Sequence, residues 1–290
     1  MQQGELISIV IPAYNEEAAI GEDLDSILEV MDASGYEYEV IVVDDGSGDG
    51  TAQVVRQRPR VQLLQHPHNR GVGAARKTGV RHAGGNIIVM TDGDGTYPNR
   101  DIPRLLAEMG DCDMVVGARV REAGSISWLR RLAKGFMGWL ASYLLEMEIT
   151  DLNSGLRAMR KELIERYWHL LPNSHSWVST ITMALLADGY RVKFIPIDYF
   201  PRRGGRSSFH PLADSYNYLL LIIRTIMYFN PLKVLLPVCF ALFGVGFVRQ
   251  VYQMVLHGFH IYLGNVILLL VGMNVGVMAL LADLIVRRIR

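Results

Sequence analysis

The sequence predicts an α/β fold, a mixed and mostly parallel sheet with helices on both faces, followed by a two-helix transmembrane hairpin. Three observations carry this. Short apolar runs rich in β-branched residues alternate with helical segments up to about Phe209, the pattern of a parallel sheet wound with helices. The loops after three of those runs are acidic. After Pro231 apolar residues dominate, in two stretches each near the ~20 residues that cross a hydrocarbon core.

Residues 6–11 (LISIVI) read as a strand buried on both faces, and Pro12-Ala13-Tyr14-Asn15-Glu16-Glu17 ends it before a helix over about 18–34. Residues 38–43 repeat the unit, with Asp44-Asp45-Gly46-Ser47-Gly48-Asp49-Gly50-Thr51 as the loop and a short helix from Ala52. A third strand spans 61–65, and Asn69-Arg70-Gly71-Val72-Gly73 opens a helix over 74–83. The glycine pair lacks the third glycine of a dinucleotide fingerprint, so a tight turn explains it as well. Residues 87–90 (IIVM) form the strand around which the rest is arranged, and it ends abruptly in Asp92-Gly93-Asp94.

Asp and Gly are ordinary turn residues, so the company of that motif decides its meaning. The three acidic loops, 12–17, 44–51 and 92–98, all follow strands and are expected to open on one edge of the sheet, where open α/β sheets bind ligands. Clustered carboxylates are costly unless they meet a cation or hydrogen-bond donors such as a nucleobase and ribose. A hard divalent ion, Mg2+ or Mn2+, takes carboxylate oxygens and leaves room for substrate phosphates, so Asp92 and Asp94 read as a clamp for a diphosphate.

The stretches IVIPAYNEE, VVDDGSGDGT and MTDGDGTYP resemble the successive signatures of family 2 glycosyltransferases of the GT-A fold, a Rossmann-like architecture that uses nucleotide-activated sugars. Gly117-Ala118-Arg119, Asp151-Leu152-Asn153-Ser154-Gly155-Leu156-Arg157 and Arg202-Arg203-Gly204-Gly205-Arg206-Ser207-Ser208 narrow the resemblance to the polyprenyl-phosphate hexosyltransferases, the dolichyl-phosphate mannose synthase group. Ser208 departs from that group's Lys, and Thr96 stands where Gln is frequent. The resemblance covers roughly residues 6–211. It implies that Pro12, Tyr14, Glu16, Val43 and Asp45 line the nucleotide pocket, with Asp45 accepting from the base. Asp92 and Asp94, with Thr96 as a further oxygen, are implied to hold Mg2+ or Mn2+ on a UDP- or GDP-linked sugar, and Gly93 between them to belong to the donor site. Arg119 and Arg202, joined by Arg157 and Arg203, are implied to receive the acceptor phosphate.

The remainder concerns the membrane. Residues 125–145 place Trp128, Leu129, Leu132, Phe136, Trp139, Leu140 and Tyr143 at helical spacing among Arg130, Arg131 and Lys134, which reads as an interfacial amphipathic helix or a helix packed on the core. Residues 212–230 form a juxtamembrane helix, and 232–256 and 263–286 the two spans. The connection 257–262 has no Lys or Arg, whereas Lys233 precedes the first span and Arg287, Arg288 and Arg290 follow the second, so both ends are expected to be cytoplasmic. Gly272 and Gly276 make a GxxxG pattern for close helix contact, within the hairpin or in a homo-oligomer.

Composition sets the outer limits. With 290 residues and 29 basic against 29 acidic side chains, the formal net charge is zero, and no global field points to nucleic acid. Cys112 and Cys239 offer neither a disulfide framework nor metal-ligand spacing, which fits a reducing compartment. The first apolar run is too short for a signal-peptide core. The reading is therefore an integral membrane enzyme, an inverting, metal-dependent glycosyltransferase moving one sugar onto a polyprenyl monophosphate at the cytoplasmic leaflet. Its rivals are a transferase that elongates a glycan and a non-catalytic scaffold that binds nucleotide sugars; the processive Q-x-x-R-W motif is absent from the chain.

Overall fold

The structure is a computed structural model, and it describes residues 5–120, 150–202, 223, 227–228 and 230–289. The segment 125–145, most of 212–230, Arg203 and the rest of the 203–208 loop lie outside the described residues. The chain divides into two compact units, Met1–Tyr218 and Leu219–Arg290.

In the first unit the strands are β1 (Ile7–Ala13), β2 (Tyr38–Asp44), β3 (Val61–Gln65), β4 (Ile87–Met90), β5 (Met114–Arg119), β6 (Arg157–Arg160) and β7 (Val192–Ile197). They form one sheet in the order β3-β2-β1-β4-β6-β5-β7. Only β6 runs against its neighbours β4 and β5; the other pairings are parallel. Such a sheet buries both faces, which explains why β1 and β4 read as unbroken apolar runs.

Alternation sorts the strand residues between two cores. Ile7, Ile9, Ile11, Val40, Val42 and Val89 pack with Leu24 and Ile27 of α1 (Ile20–Ser34) and Val55 of α2 (Thr51–Arg56). The opposite face receives α3 (Val72–His82), whose Gly79 lies so close to Val10 and Val43 that any side chain there would collide with them. Gly71 adopts φ +93° and Gly73 packs against the backbone of residues 172–174, so the pair serves close packing and a turn. The sequence reading passed over α4 (Ile102–Ala107), the strand β6 and the helix α6 (Trp177–Ala187); β6 leads directly into α5 (Lys161–Arg166).

The second unit is a pair of helices, α7 (Pro231–His257) and α8 (Leu263–Ile289), both long and apolar enough to cross a membrane. Gly272 and Gly276 face α7 of the same chain: a Cβ on Gly272 would stand 2.9 Å from the Phe243 nitrogen, and one on Gly276 3.0 Å from Cys239 Sγ. The glycines therefore bring two helices of one chain together, and a homo-oligomer gains no support from them. Near the connecting turn Asn265, buried, donates to Gln250 Oε1 at 3.0 Å and Gln253 Oε1 at 2.6 Å. Gln250 Nε2 in turn donates to the His260 carbonyl at 2.8 Å. In hydrocarbon such polar groups gain by pairing across the two helices.

Candidate active site

The three acidic loops emerge side by side, because β2, β1 and β4 are adjacent and parallel. The reversed strand β6 adds to the same edge: its first residue, Arg157, pairs with Met90 at the end of β4. Arg119 closes β5 there and pairs with Ile197, the last residue of β7.

The first two loops brace each other. Asn15 N donates to Ser47 Oγ at 2.9 Å, Gly48 N to Asn15 Oδ1 at 2.8 Å, Glu16 N to Thr51 Oγ1 at 2.9 Å and Gly50 N to Glu17 Oε2 at 2.9 Å. Asn15 takes the left-handed conformation, φ 56°, which costs energy for a non-glycine residue and persists where the surroundings over-determine it. The lattice leaves Tyr14 45% exposed at the rim while Glu16 is buried. Pro12 and Val43 are register partners on β1 and β2, with Val43 fully buried. Asp45 is also buried, and its carboxylate accepts from His66, Arg70 N and Gly71 N.

The Asp92 loop is held from below and behind. Gly93 packs on Ile20 and Ile11 so tightly that only hydrogen fits. Asp23, on α1, accepts from Gly95 N at 2.8 Å and from Asn99 Nδ2 at 3.0 Å, and Asn99 Oδ1 accepts from Thr91 Oγ1 at 3.0 Å. Gly95 has φ +75°, the conformation this turn needs and glycine takes without strain. Burial first, then Asp94 and Asp92, push the Asp23 carboxyl up to about 6 despite those donors. Asp94 is likewise raised, by burial and by the charge of Asp92. Three carboxylates thus share a partly dry volume, where an added positive charge is favourable.

Asp92 Oδ1 accepts from Arg76 Nη2 at 2.9 Å, and Asp94 Oδ1 from the Thr96 hydroxyl at 2.6 Å. Among the described residues no three His, Cys, Asp or Glu side chains converge as a metal cage. Two carboxylates with oxygens to spare, Asp94 raised in proton affinity by burial and by Asp92, do fit a hard divalent ion whose other ligands are water and phosphate. The Thr96 hydroxyl donates to Asp94 and keeps its own lone pairs beside the clamp.

The arginines separate. Arg202 bridges two loops, donating to Glu16 Oε1 and lying 3.5 Å from Asp94 Oδ2 through Nε. Arg119 grips Asp151 in a bidentate pair, Nε to Oδ2 at 2.7 Å and Nη2 to Oδ1 at 2.9 Å, with its guanidinium 5.1 Å from the Tyr199 ring centre. Arg157 corrects the expectation of a phosphate ligand. It is fully buried, its Nη1 donating to the Val178 carbonyl at 2.9 Å and to Thr182 Oγ1 at 2.8 Å, its Nε to the Ser154 carbonyl at 3.1 Å. The cause is β6: on the first residue of a strand in the middle of the sheet, its side chain meets α6 and not the cleft.

The sequence reading missed Arg76, Asp23, Tyr97, Asp151, Gly155 and His66 as members of this site. Gly155 lies against the clamp: a Cβ there would stand 2.5 Å from Asp92 Oδ2, and Gly155 N donates to the Tyr97 hydroxyl at 2.6 Å. Part of the signal was legible, since Asp151 and Gly155 belong to the quoted D-x-x-S-G motif. Asp23 and His66 carried none beyond being polar residues at positions that turn out to be buried.

A mixed sheet with acid-bearing loops gathered on one edge is the GT-A-like architecture of nucleotide-sugar transferases. The chain belongs to glycosyl transferase family 2, which matches residues 8–168, and residues 230–287 match the GtrB C-terminal hairpin. It is 30% identical over 210 residues to the undecaprenyl-phosphate 4-deoxy-4-formamido-L-arabinose transferase of Edwardsiella ictaluri (strain 93-146), a match covering 71% of this chain and 63% of that protein. Crystal structures of glucosyl-3-phosphoglycerate synthase from Mycobacterium tuberculosis share the fold. The complex with phosphoglyceric acid has a TM-score of 0.60 at 22% identity over 77% of this chain and 80% of that one. The complex with Mn2+, UDP and phosphoglyceric acid has a TM-score of 0.60 at 21% identity over 77% and 79%.

Proposed function

We propose that the protein transfers one sugar from a nucleotide diphosphate sugar to a polyprenyl monophosphate at the cytoplasmic leaflet, with inversion at the anomeric carbon. The observation that carries this is the Glu16–Arg202–Asp94 bridge, a cation set beside the diphosphate clamp in a chain that also bears a GtrB-type hairpin. The relative from Edwardsiella ictaluri, named for an undecaprenyl-phosphate acceptor, supports the same acceptor class.

Pro12, Tyr14, Glu16, Val43 and Asp45 line the nucleotide side, and Asp92 and Asp94 would hold a divalent ion, Mg2+ or Mn2+, at the donor diphosphate. That ion supplies Lewis-acid stabilisation of the leaving nucleotide. The chain's own residues do the rest. A phosphate monoester, with a second pKa near ~6, is already largely dianionic at neutral pH, so the acceptor needs no strong general base. What must be overcome is repulsion between acceptor phosphate and donor diphosphate. Arg202 offsets it by exchanging its carboxylate partners for phosphate oxygens, a bidentate geometry that also orients the attacking oxygen. Arg119 keeps Asp151 on Nε and Nη2 and adds positive potential through Nη1; Arg203 is assigned to the same acceptor side. Arg157 contributes from beneath, as a buried charge and not as a ligand.

The test is to incubate membranes containing the protein with a panel of labelled nucleotide sugars and polyprenyl phosphate, then extract lipid. Label in the lipid fraction, as a single sugar per prenyl phosphate, is expected. Label only in longer glycans would favour an elongating transferase, and tight nucleotide-sugar binding with no turnover a scaffold.

A further inference from the structure

One face of α8 is used within the chain. Its buried residues Asn265, Gly272 and Ala279 recur at every seventh position, and a helix position seven residues on returns to nearly the same side. That side meets α7, through the close approach of Gly272 to Phe243 and the bonds from Asn265 to Gln250 and Gln253. On the side away from α7 the sequence places Ile267, Leu270, Asn274, Val277, Leu281 and Leu284, all exposed. Their spacing alternates between three and four, so Ile267, Asn274 and Leu281 are the a positions of a heptad pattern and Leu270, Val277 and Leu284 the d positions. The buried residues then fall at f, opposite the a/d seam.

Apolar side chains facing lipid need no partner, so the leucines, isoleucine and valine of the seam carry no argument by themselves. Asn274 does. It stands at the middle of the span Leu263–Val286, and its Nδ2 donates to the Leu270 carbonyl at 2.9 Å. That bond, one turn back along the same helix, uses one amide hydrogen. Among the described residues neither the second hydrogen nor Oδ1 meets a partner. Lipid tails offer none, and an amide left bare in hydrocarbon is costly.

We propose that α8 pairs with α8 of a second copy of this chain along the a/d seam, with the two Asn274 amides hydrogen-bonded to each other at the centre of the bilayer. The partner follows from self-complementarity. An amide is donor and acceptor at once, and two copies inserted with one topology run parallel, so position 274 reaches the same depth in both. A two-fold axis along the membrane normal then brings the amides face to face and sets the knobs of each seam into the holes of the other. A single Asn among apolar a residues also fixes the register, because any slip leaves both amides in hydrocarbon. The Gly272 and Gly276 contacts stay within each hairpin, so two chains can join without rearranging either.

The experiment mixes full-length chains carrying donor or acceptor fluorophores in liposomes at a series of protein-to-lipid ratios, for the wild type, Asn274→Leu and Asn274→Gln. Energy transfer that saturates as the ratio rises is expected for the wild type. Asn274→Leu is expected to weaken the association by about 3- to 30-fold, the scale of hydrogen bonds between membrane helices, whereas Asn274→Gln keeps most of it. Because Asn274 lies away from the α7 contact, Tm should change little in either variant. Oxidative cross-linking locates the contact in chains whose Cys112 and Cys239 are replaced by alanine. Leu270→Cys and Val277→Cys should give disulfide-linked pairs, and Val275→Cys, turned away from the seam, should not. Energy transfer no greater than that of randomly dispersed chains, equal association of Asn274→Leu and wild type, or cross-linking strongest at Val275→Cys would each overturn the inference. A chain that stays single and instead binds another membrane protein through Asn274 would overturn the second copy as partner.

Discussion

Gly155 stands directly over Asp92: a methyl group on its Cα would lie 2.5 Å from Asp92 Oδ2 and 3.1 Å from a ring carbon of Tyr97. The loop that β6 begins from is thus the lid of the clamp, and its backbone must pass without a side chain. Gly155→Ala is expected to displace the Asp92 carboxylate, because the alternative is to move a buried tyrosine. Overpacking of this kind costs about 1–3 kcal/mol of stability. Transfer should fall by at least ~10-fold, since a displacement near 1 Å can cost about 100-fold in rate. Nucleotide affinity without metal should change little. Parallel measurement of Tm, metal-free UDP binding and transfer checks this, and unchanged transfer would show that Asp92 does not need its present position.

The arginines make a contrast that a single assay separates. Arg202 is a half-buried bridge between Glu16 and Asp94, so Arg202→Ala should leave the fold intact and lower transfer to lipid phosphate by about 100-fold, the scale on which a lost transition-state donor is felt. Arg202→Lys should rescue only part, keeping charge but not the planar fork. Arg157→Ala instead removes the donor to the Ser154 carbonyl, leaves the Val178 carbonyl and the Thr182 hydroxyl with only each other and opens a cavity. Its cost should appear as several kcal/mol of stability, at about 1–3 kcal/mol for each unsatisfied group, with activity lost in proportion to folded protein. Should Arg157→Ala retain full Tm and lose only transfer, the buried assignment would be wrong.

Why Arg157 was misplaced shows which parts of this molecule are legible in its sequence. β1, β2 and β4 announce themselves, because strands buried on both faces are apolar throughout, and the three loops following them carry the acids that name the edge. β6 is only Arg157–Arg160, with two arginines among four residues, and it runs antiparallel. No alternation four residues long distinguishes such a strand from a loop. Without β6, nothing says that Arg157 points between sheet and α6. Asp23 is hidden for a related reason: it sits in a helix whose buried face is otherwise Ile20, Leu24, Ile27 and Met31, and only the folded Asp92 loop supplies the donors that make burying it tolerable.

The charges flanking the two apolar helices lead to a prediction of topology. Basic residues lie at its open end, Lys233 and Arg287 to Arg290, and none between 257 and 262, which favours both open ends in the cytoplasm. A reporter after Arg290 should behave as cytoplasmic and one inserted at Gly258 as exported. Detergent should be needed for extraction, and release of intact chain by high salt alone would refute the spans.

The clamp should be dependent on both metal and proton, in a definite direction. Asp92→Asn or Asp94→Asn is expected to remove nearly all transfer with Tm changed little, because the pair sits in a loop at the sheet edge, and EDTA should do the same to the wild type. Asp94 takes up a proton more readily than an ordinary carboxylate, through burial and through Asp92, and a divalent ion must displace that proton to bind. As pH falls through the raised pKa, which lies above the usual ~3.9 of an aspartate, apparent metal affinity should weaken, by up to ~10-fold per pH unit where one proton is released. Folding has the sign of a raised carboxylate as well: the stability that Asp94 contributes is fully present below the unfolded pKa and is lost as pH rises through the folded one. In metal-free protein, therefore, the wild type should gain stability relative to Asp94→Asn as pH is lowered, while saturating metal should reverse the trend by binding the ionised form. Thermal melts of both proteins across pH 4 to 8, with and without Mn2+, decide it. A metal affinity that does not vary over that range would show that Asp94 carries no proton for the ion to displace, and with full activity in chelator the assignment of the clamp would fall.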